Sequence, residues 1–216
     1  MKRNILFSAM MVLAVIVGFT ILGISTADAA KPAQVTSGDT TLDDLQTAYN
    51  GESNAHVRYL AFAKKAEAEG YLKVAALFRA TARSEEIHAK NHADVIMKMK
   101  AEPIAKIETP KVGTTKQNLE ASIKGEIYER GTMYPEFIKR AEANNNPAAV
   151  RTFTFAEKVE TNHAALYKSA LDNLNDWKVG GVKFSVCSEC GNTVEKVDFL
   201  RCPVCHESKK KYSVVE

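Results

Sequence analysis

Glu85-Glu86-Ile87-His88 and Glu160-Thr161-Asn162-His163 repeat one Glu-x-x-His step at an interval of 75 residues. On a helix, side chains three residues apart share a face, so each pair offers a carboxylate and an imidazole to the same side. A second doublet keeps the same step: Gly51-Glu52 recurs as Gly125-Glu126, 74 residues on. Phe62-Ala63-Lys64-Lys65-Ala66-Glu67 likewise matches Phe137-Ile138-Lys139-Arg140-Ala141-Glu142, and Phe78 matches Phe153. The chain therefore carries two related halves, and the repeat is too long and too few for a solenoid.

Each half reads as a helical hairpin. Thr41, with Asp43 and Asp44 behind it, opens helix one over about 42–69, which Gly70 ends. Helix two spans about 72–100. Pro103 and Pro110 bracket a long connection that reaches about Thr114. Helix three covers about 115–143, and Pro135 inside it predicts a kink or a local break in its bonding. Asn146 before Pro147 caps helix four, about 147–175. Steps of three and four trace the inward seams. They run through Leu45, Glu52 and Tyr59 in helix one, and through Phe78, Glu85, His88 and Val95 in helix two. In the second half they run through Leu119, Glu126 and Phe137, then Phe153, Glu160, His163 and Tyr167.

Every seam thus carries a glutamate near its middle. An unpaired buried carboxylate costs several kcal/mol, against a whole-fold stability of roughly 5–15 kcal/mol. The seams contain no lysine, so two multivalent cations are the simplest compensation. Carboxylates with two imidazoles suit iron or manganese better than other metals. Surface glutamates on a misjudged helical phase would explain one Glu-x-x-His, but not two in register with a repeated Gly-Glu. His56 aligns with Arg130 of the second half and reads as a core or network residue. His92, one turn past His88, reads as a core histidine, with support of the metal site as the alternative. Glu129 breaks the symmetry, because helix one offers only Ala55 at its position. An extra carboxylate on one side lets an iron exchange carboxylate for imidazole as its charge changes; an exposed glutamate beside Arg130 is the alternative.

The ends carry different information. Met1-Lys2-Arg3, an apolar run from Ile5 to Ile24 and Ala27-Asp28-Ala29 read as a signal peptide over 1–29. The run is also long enough for an uncleaved membrane anchor. Both readings place the folded part outside the cytoplasm, the first in the periplasm. Residues 30–40 read as a linker. A formal net charge of +3 over 216 residues is too balanced for a nucleic-acid footprint. All four cysteines lie near the C-terminus, as Cys187-Ser188-Glu189-Cys190 and Cys202-Pro203-Val204-Cys205. Paired Cys-x-x-Cys knuckles hold one tetrahedral metal, iron or zinc; disulfides are the alternative in an exported chain. Gly191 follows the first knuckle and His206 the second. His206 reads as an exposed loop residue, with a spare ligand as the alternative.

Gly51-Glu52-Ser53-x-Ala55, Glu85-x-x-His88, Gly125-Glu126-x-x-Glu129, Met133-Tyr134-Pro135-Glu136, Glu160-x-x-His163 and the paired knuckles together resemble the rubrerythrins, over roughly 41–216. The resemblance implies an all-α fold: a ferritin-like four-helix bundle over 41–176, with a long crossover between helices two and three. It adds a small rubredoxin-like module over 177–216. It further implies a catalytic di-iron site held by Glu52, Glu85, His88, Glu126, Glu129, Glu160 and His163. A third iron, with zinc as the alternative, would sit on Cys187, Cys190, Cys202 and Cys205. Tyr59 and Tyr134 would hydrogen-bond ligand carboxylates, with core packing as the alternative.

The implied activity is reduction of hydrogen peroxide to water, protecting against oxidative stress. Electrons would come from an external donor through the cysteine iron, crossing between subunits of a head-to-tail homodimer. Iron oxidation and handling, or a bundle with a structural zinc, are the other readings. Two departures stand out: the family is mostly cytoplasmic whereas this chain looks exported, and His206 replaces a glycine common in such knuckles, which bears on the backbone N–H bonds to sulfur.

Overall fold

Two apolar plugs enclose a charged middle in the computed structural model, which describes residues 41–216. The leader or anchor expected at 1–29 and the linker at 30–40 lie outside the described residues. Five α-helices build the bundle: α1 Thr41–Ala68, α2 Leu72–Lys98, α3 Thr115–Tyr128, α4 Tyr134–Ala143 and α5 Pro147–Asp172. One plug gathers Tyr59, Phe62, Phe78, Leu119 and Tyr167; the other gathers Leu45, Val95, Tyr134, Phe137 and Phe153. All of these but Phe62 and Tyr134 come from the seams read in the sequence, so the glutamates between them are buried by the same periodicity that buries Phe78, Phe137 and Phe153.

The predicted helix three is two helices joined by a π-helical turn, Glu129–Met133. Its cause is Pro135, which has no N–H and whose ring crowds the carbonyl of Gly131. The chain widens by one residue, and the Tyr134 amide donates to Glu129 O, five residues back. Thr114 and Gln117 form a capping box at the start of α3, and Asn146 Oδ1 accepts the Ala149 amide at 3.0 Å ahead of Pro147. Arg140 of α4 donates twice to Asp44 of α1, at 2.8 Å each, tying the second half to the first.

The crossover between α2 and α3 is strapped to α1 by side-chain amides spaced four residues apart. Gln46 Oε1 accepts from the Ile104 amide at 3.1 Å, Asn50 Oδ1 from Lys106 at 2.8 Å and Asn54 Oδ1 from Glu108 at 2.8 Å. Gln46 and Asn54 donate in return to the Glu102 and Lys106 carbonyls.

Beyond α5, β1 Phe184–Cys187 lies between β2 Thr193–Val194 and β3 Tyr212–Val215, antiparallel to both. Trp177 and Phe184, with ring centroids 6.4 Å apart, join the Tyr59 plug and seat this small sheet on the bundle. Among the described residues no helix is long and apolar enough to cross a membrane.

Candidate metal centres

Six of the seven predicted carboxylate and imidazole residues converge between the plugs. Glu52 comes from α1, Glu85 and His88 from α2, Glu126 from α3, and Glu160 and His163 from α5; all six are buried. Glu85 and Glu160 each send one oxygen to each histidine. His88 Nδ1 lies 2.9 Å from Glu85 and 2.8 Å from Glu160, and His163 Nδ1 lies 3.2 Å and 2.7 Å from the same two residues. The result is two quartets, Glu52-Glu85-His88-Glu160 and Glu85-Glu126-Glu160-His163, in which the ligand atoms lie within 4.8 Å of one another. Glu85 and Glu160 belong to both.

These atoms are close without being hydrogen-bonded. Both oxygens of Glu85 and Glu160, one oxygen each of Glu52 and Glu126, and both Nδ1 atoms lack a hydrogen-bond partner. Their lone pairs face common points rather than one another, which is what a cation at each point requires. The other ring nitrogens set the tautomers. His88 Nε2 donates to the Cys190 carbonyl at 3.1 Å. Thr193 Oγ1 spends its proton on the Gly191 carbonyl, so it accepts from His163 Nε2 at 3.3 Å. In the neutral rings both Nδ1 atoms therefore carry the lone pair and turn it to the centre, where a metal would take the place of a proton.

Tyr59 donates to Glu126 at 2.5 Å, and Tyr134 donates to Glu52 by a very short bond. Both tyrosines thus stand where the resemblance puts them. His92 is a fully satisfied core histidine: Nε2 meets Tyr134 and Nδ1 meets Thr152 Oγ1 at 3.1 Å. His56 bonds the Ala82 carbonyl and joins neither quartet. Glu129, at the start of the π-helical turn, is only half-buried and stands outside both quartets. Its amide keeps the α-helical bond to the Gly125 carbonyl, so it stays one turn from Glu126 and close enough to Glu52, Glu85 and Glu160 to act on their charges.

Burial, reinforced by neighbouring carboxylates, pushes Glu52 and Glu126 well above the usual carboxylate range. Glu129 is pushed up to about 8, by burial and then by Glu160 and Glu85. Burial acts against Glu160 as well, but His88 and His163 outweigh it and hold this carboxyl low. Burial also disfavours charge on the two histidines, yet the glutamates raise both, His163 to about 9.

A group whose pKa is raised by folding stabilises the fold below its unfolded value and loses that contribution as pH climbs through the folded one. The three raised carboxyls and both histidines act in this direction. Glu160, being depressed, contributes above its ordinary value and loses that contribution only in acid. Protein stripped with a chelator is therefore expected to melt lower as pH rises from about 5 to about 9. The fall should be roughly 10 °C, at about 2–4 °C per kcal/mol for a domain of this size. Reloaded protein should hold its melting temperature over the same range. Scanning fluorimetry of both forms checks this, and a flat curve for stripped protein would refute it.

The four cysteines are free thiols around a second point. Sγ–Sγ distances are 3.8 Å for Cys187–Cys205 and 3.6 Å for Cys190–Cys202. A tetrahedron with metal–sulfur bonds of about 2.3 Å has edges near 3.8 Å, whereas a disulfide needs about 2.05 Å. The disulfide alternative therefore fails. His206 is exposed and outside the cluster. At φ +62 it reproduces the left-handed turn of Gly191, φ +80, and each donates its amide to the first cysteine of its knuckle. The glycine's absence thus leaves that turn intact, at a cost of about 1 kcal/mol of backbone strain.

No motif or spacing marks where this cluster sits. Its first knuckle lies on the bundle: Cys190 O accepts from His88, Gly191 O from Ser84 at 2.7 Å, and Glu189 O from Asn91 at 2.9 Å. Ser84, Asn91 and Thr193 are the residues that sequence reasoning missed, since one hydroxyl or amide on a helix or turn carries no pattern. Within one chain these bonds bring the first knuckle against His88.

Comparison with known proteins bears out both centres. Residues 43–171 match the rubrerythrin family. Nigerythrin of Nitratidesulfovibrio vulgaris is 35% identical over 181 residues, covering 82% of this chain and 88% of that protein. Rubrerythrin-2 of Clostridium acetobutylicum is 37% identical over 175 residues, covering 80% and 95%. A solved structure of nigerythrin in its fully reduced, all-ferrous state superposes with a TM-score of 0.76 at 36% identity, covering 83% of this chain and 89% of that one. The glutamate–histidine cluster fits a di-iron site, and the cysteine cluster fits iron or zinc. A ferritin-like bundle that folds two such clusters against each other, at this level of identity, makes the chain a member of the rubrerythrin family of di-iron oxidoreductases.

Proposed function

We propose that this protein is a non-haem di-iron peroxidase that reduces hydrogen peroxide to water. Glu52, Glu85, His88, Glu126, Glu160 and His163 would hold the two irons, with Glu129, one turn beyond Glu126, as a seventh carboxylate for them. Cys187, Cys190, Cys202 and Cys205 hold the iron that relays electrons from an external donor. When bound, a ferrous pair supplies the two electrons that hydrogen peroxide takes up, with two protons, as its O–O bond breaks to give two waters.

The protein's own residues do the rest. The two apolar plugs keep bulk water from the site. Glu85 and Glu160, shared by both quartets, fix the spacing of the two positions. Tyr59 and Tyr134 hold protons on Glu126 Oε1 and Glu52 Oε1, leaving the opposite oxygens for metal. Glu129, beside Glu85 and Glu160, is a source of one proton.

The observation that carries the relay is one residue with two roles. Cys190 offers its sulfur to the cysteine cluster and its carbonyl to His88 Nε2. Two copies exchanging modules through the connection 173–183 would make the same contacts, which accommodates a homodimer. The leader read at 1–29 assigns the protein to the periplasm, or to an anchored form outside the cytoplasm, protecting against oxidative stress there.

Metal analysis and peroxide titration test this reading. Protein purified from its native compartment is expected to be red and to hold about three irons per chain, as the two clusters require. After reduction, peroxide should restore its visible thiolate–iron absorption. Colourless protein with zinc on the cysteines would remove the relay. Red protein that reduced slowly and ignored peroxide would defeat the peroxidase assignment.

A further inference from the structure

Tyr212 stands at the end of a line of hydrogen bonds that begins on the bundle. Asn162, beside His163 on α5, donates its side-chain amide to Asn192 Oδ1 at 3.4 Å and to the Thr193 carbonyl at 2.5 Å. With its oxygen so engaged, Asn192 turns its Nδ2 to the Tyr212 hydroxyl, 2.6 Å away. That hydroxyl already accepts a proton, so its own is directed to Cys202 Sγ at 3.1 Å. Asn192 is buried, Cys202 is fully buried, and the Phe199 ring packs edge-on to Tyr212 at 5.3 Å. Every donor in the line points the same way, from the bundle to the sulfur.

We propose that Asn162, Asn192 and Tyr212 are positioning residues through which the docked bundle raises the reduction potential of the metal held by the four cysteines. The inference rests on iron in that cluster but not on peroxide as the oxidant. With ferric iron, four thiolates carry a net charge of −1, and reduction makes it −2. A proton donor at sulfur stabilises the more negative state, so it favours reduction. Because polarised hydrogen bonds strengthen one another, the Asn162 amide adds to the pull of a hydroxyl it never touches. The potential of the centre thus registers whether the module is seated: Asn162 belongs to the bundle, and Asn192 and Tyr212 to the module. A seated relay accepts electrons more readily than a loose one.

The test is a redox titration of the iron-loaded full chain, followed by its thiolate absorption. Tyr212→Phe removes one hydroxyl from a partly exposed ring and should shift the reduction equilibrium about tenfold toward the oxidised state, a fall near 59 mV for one electron. Asn162→Ala should give a smaller shift in the same direction, about threefold. The double variant should titrate with Tyr212→Phe alone, since the two changes act through one path. An unchanged potential in Tyr212→Phe overturns the proposal. So does an Asn162→Ala shift that persists when residue 212 is phenylalanine, because the bundle would then act on the sulfur by another route. Loss of peroxide response in the parent protein would defeat the peroxidase reading and leave these shifts as they stand.

Discussion

Alanine in place of Glu126 is expected to leave the thiolate absorption unchanged and to slow its reoxidation by peroxide at least a hundredfold. Glu126 supplies an oxygen to the quartet with Glu85, Glu160 and His163, and its other oxygen holds the Tyr59 proton. Outer partners of metal ligands alone are worth about 10–100-fold in affinity or activity, so loss of a ligand should cost more. The four cysteines draw nothing from Glu126. Stopped-flow mixing of reduced variant with peroxide measures the rate, and normal reoxidation would sink the assignment.

The second large effect comes from one methyl group. Gly191 has φ +80, which costs an alanine about 1–2 kcal/mol. A Cβ there would also lie 2.7 Å from His88 Nε2 and closer still to Ser84 Oγ. Neither neighbour can withdraw, since His88 is held by the metal quartet and Ser84 by the Gly191 carbonyl. Gly191→Ala should therefore unseat the first knuckle from α2 while keeping the four sulfurs of the cluster together. Electron transfer between the two centres should slow by tenfold or more, and the connection 173–183 should become open to limited proteolysis. Wild-type reoxidation kinetics in this variant would mean that the relay does not use the Cys190–His88 contact.

The unequal legibility of these parts in the sequence has a physical origin. Glu52, Glu85, His88, Glu126, Glu160 and His163 were legible because helical periodicity and duplication are regular, and a carboxylate on an apolar seam is a contradiction that only a ligand or partner resolves. The cysteine cluster was legible because two knuckles close a tetrahedron locally. Glu129 was half legible: its one-turn step from Glu126 holds, but whether its carboxyl closes on a quartet depends on side-chain rotamer, which spacing does not fix. The seating of the module was not legible at all. It rests on Ser84 and Asn91 meeting the first knuckle across 107 and 98 residues of chain, and on Thr193 meeting His163 across 30. Nothing periodic announces such a meeting.

The amide straps along the crossover carry a consequence for how its length can vary. Four residues of helix advance about 6 Å, and two residues of extended chain advance about 6.6 Å, so Gln46, Asn50 and Asn54 and the alternate amides of Ile104, Lys106 and Glu108 run nearly in phase, like the two scales of a vernier. Adding or removing one residue within that stretch would turn the wrong edge of the backbone toward α1 and cancel the straps beyond it together. A change of two would slide the scale by one mark and let the pattern resume. The connection between the two halves is thus a ruler whose permitted lengths come in pairs.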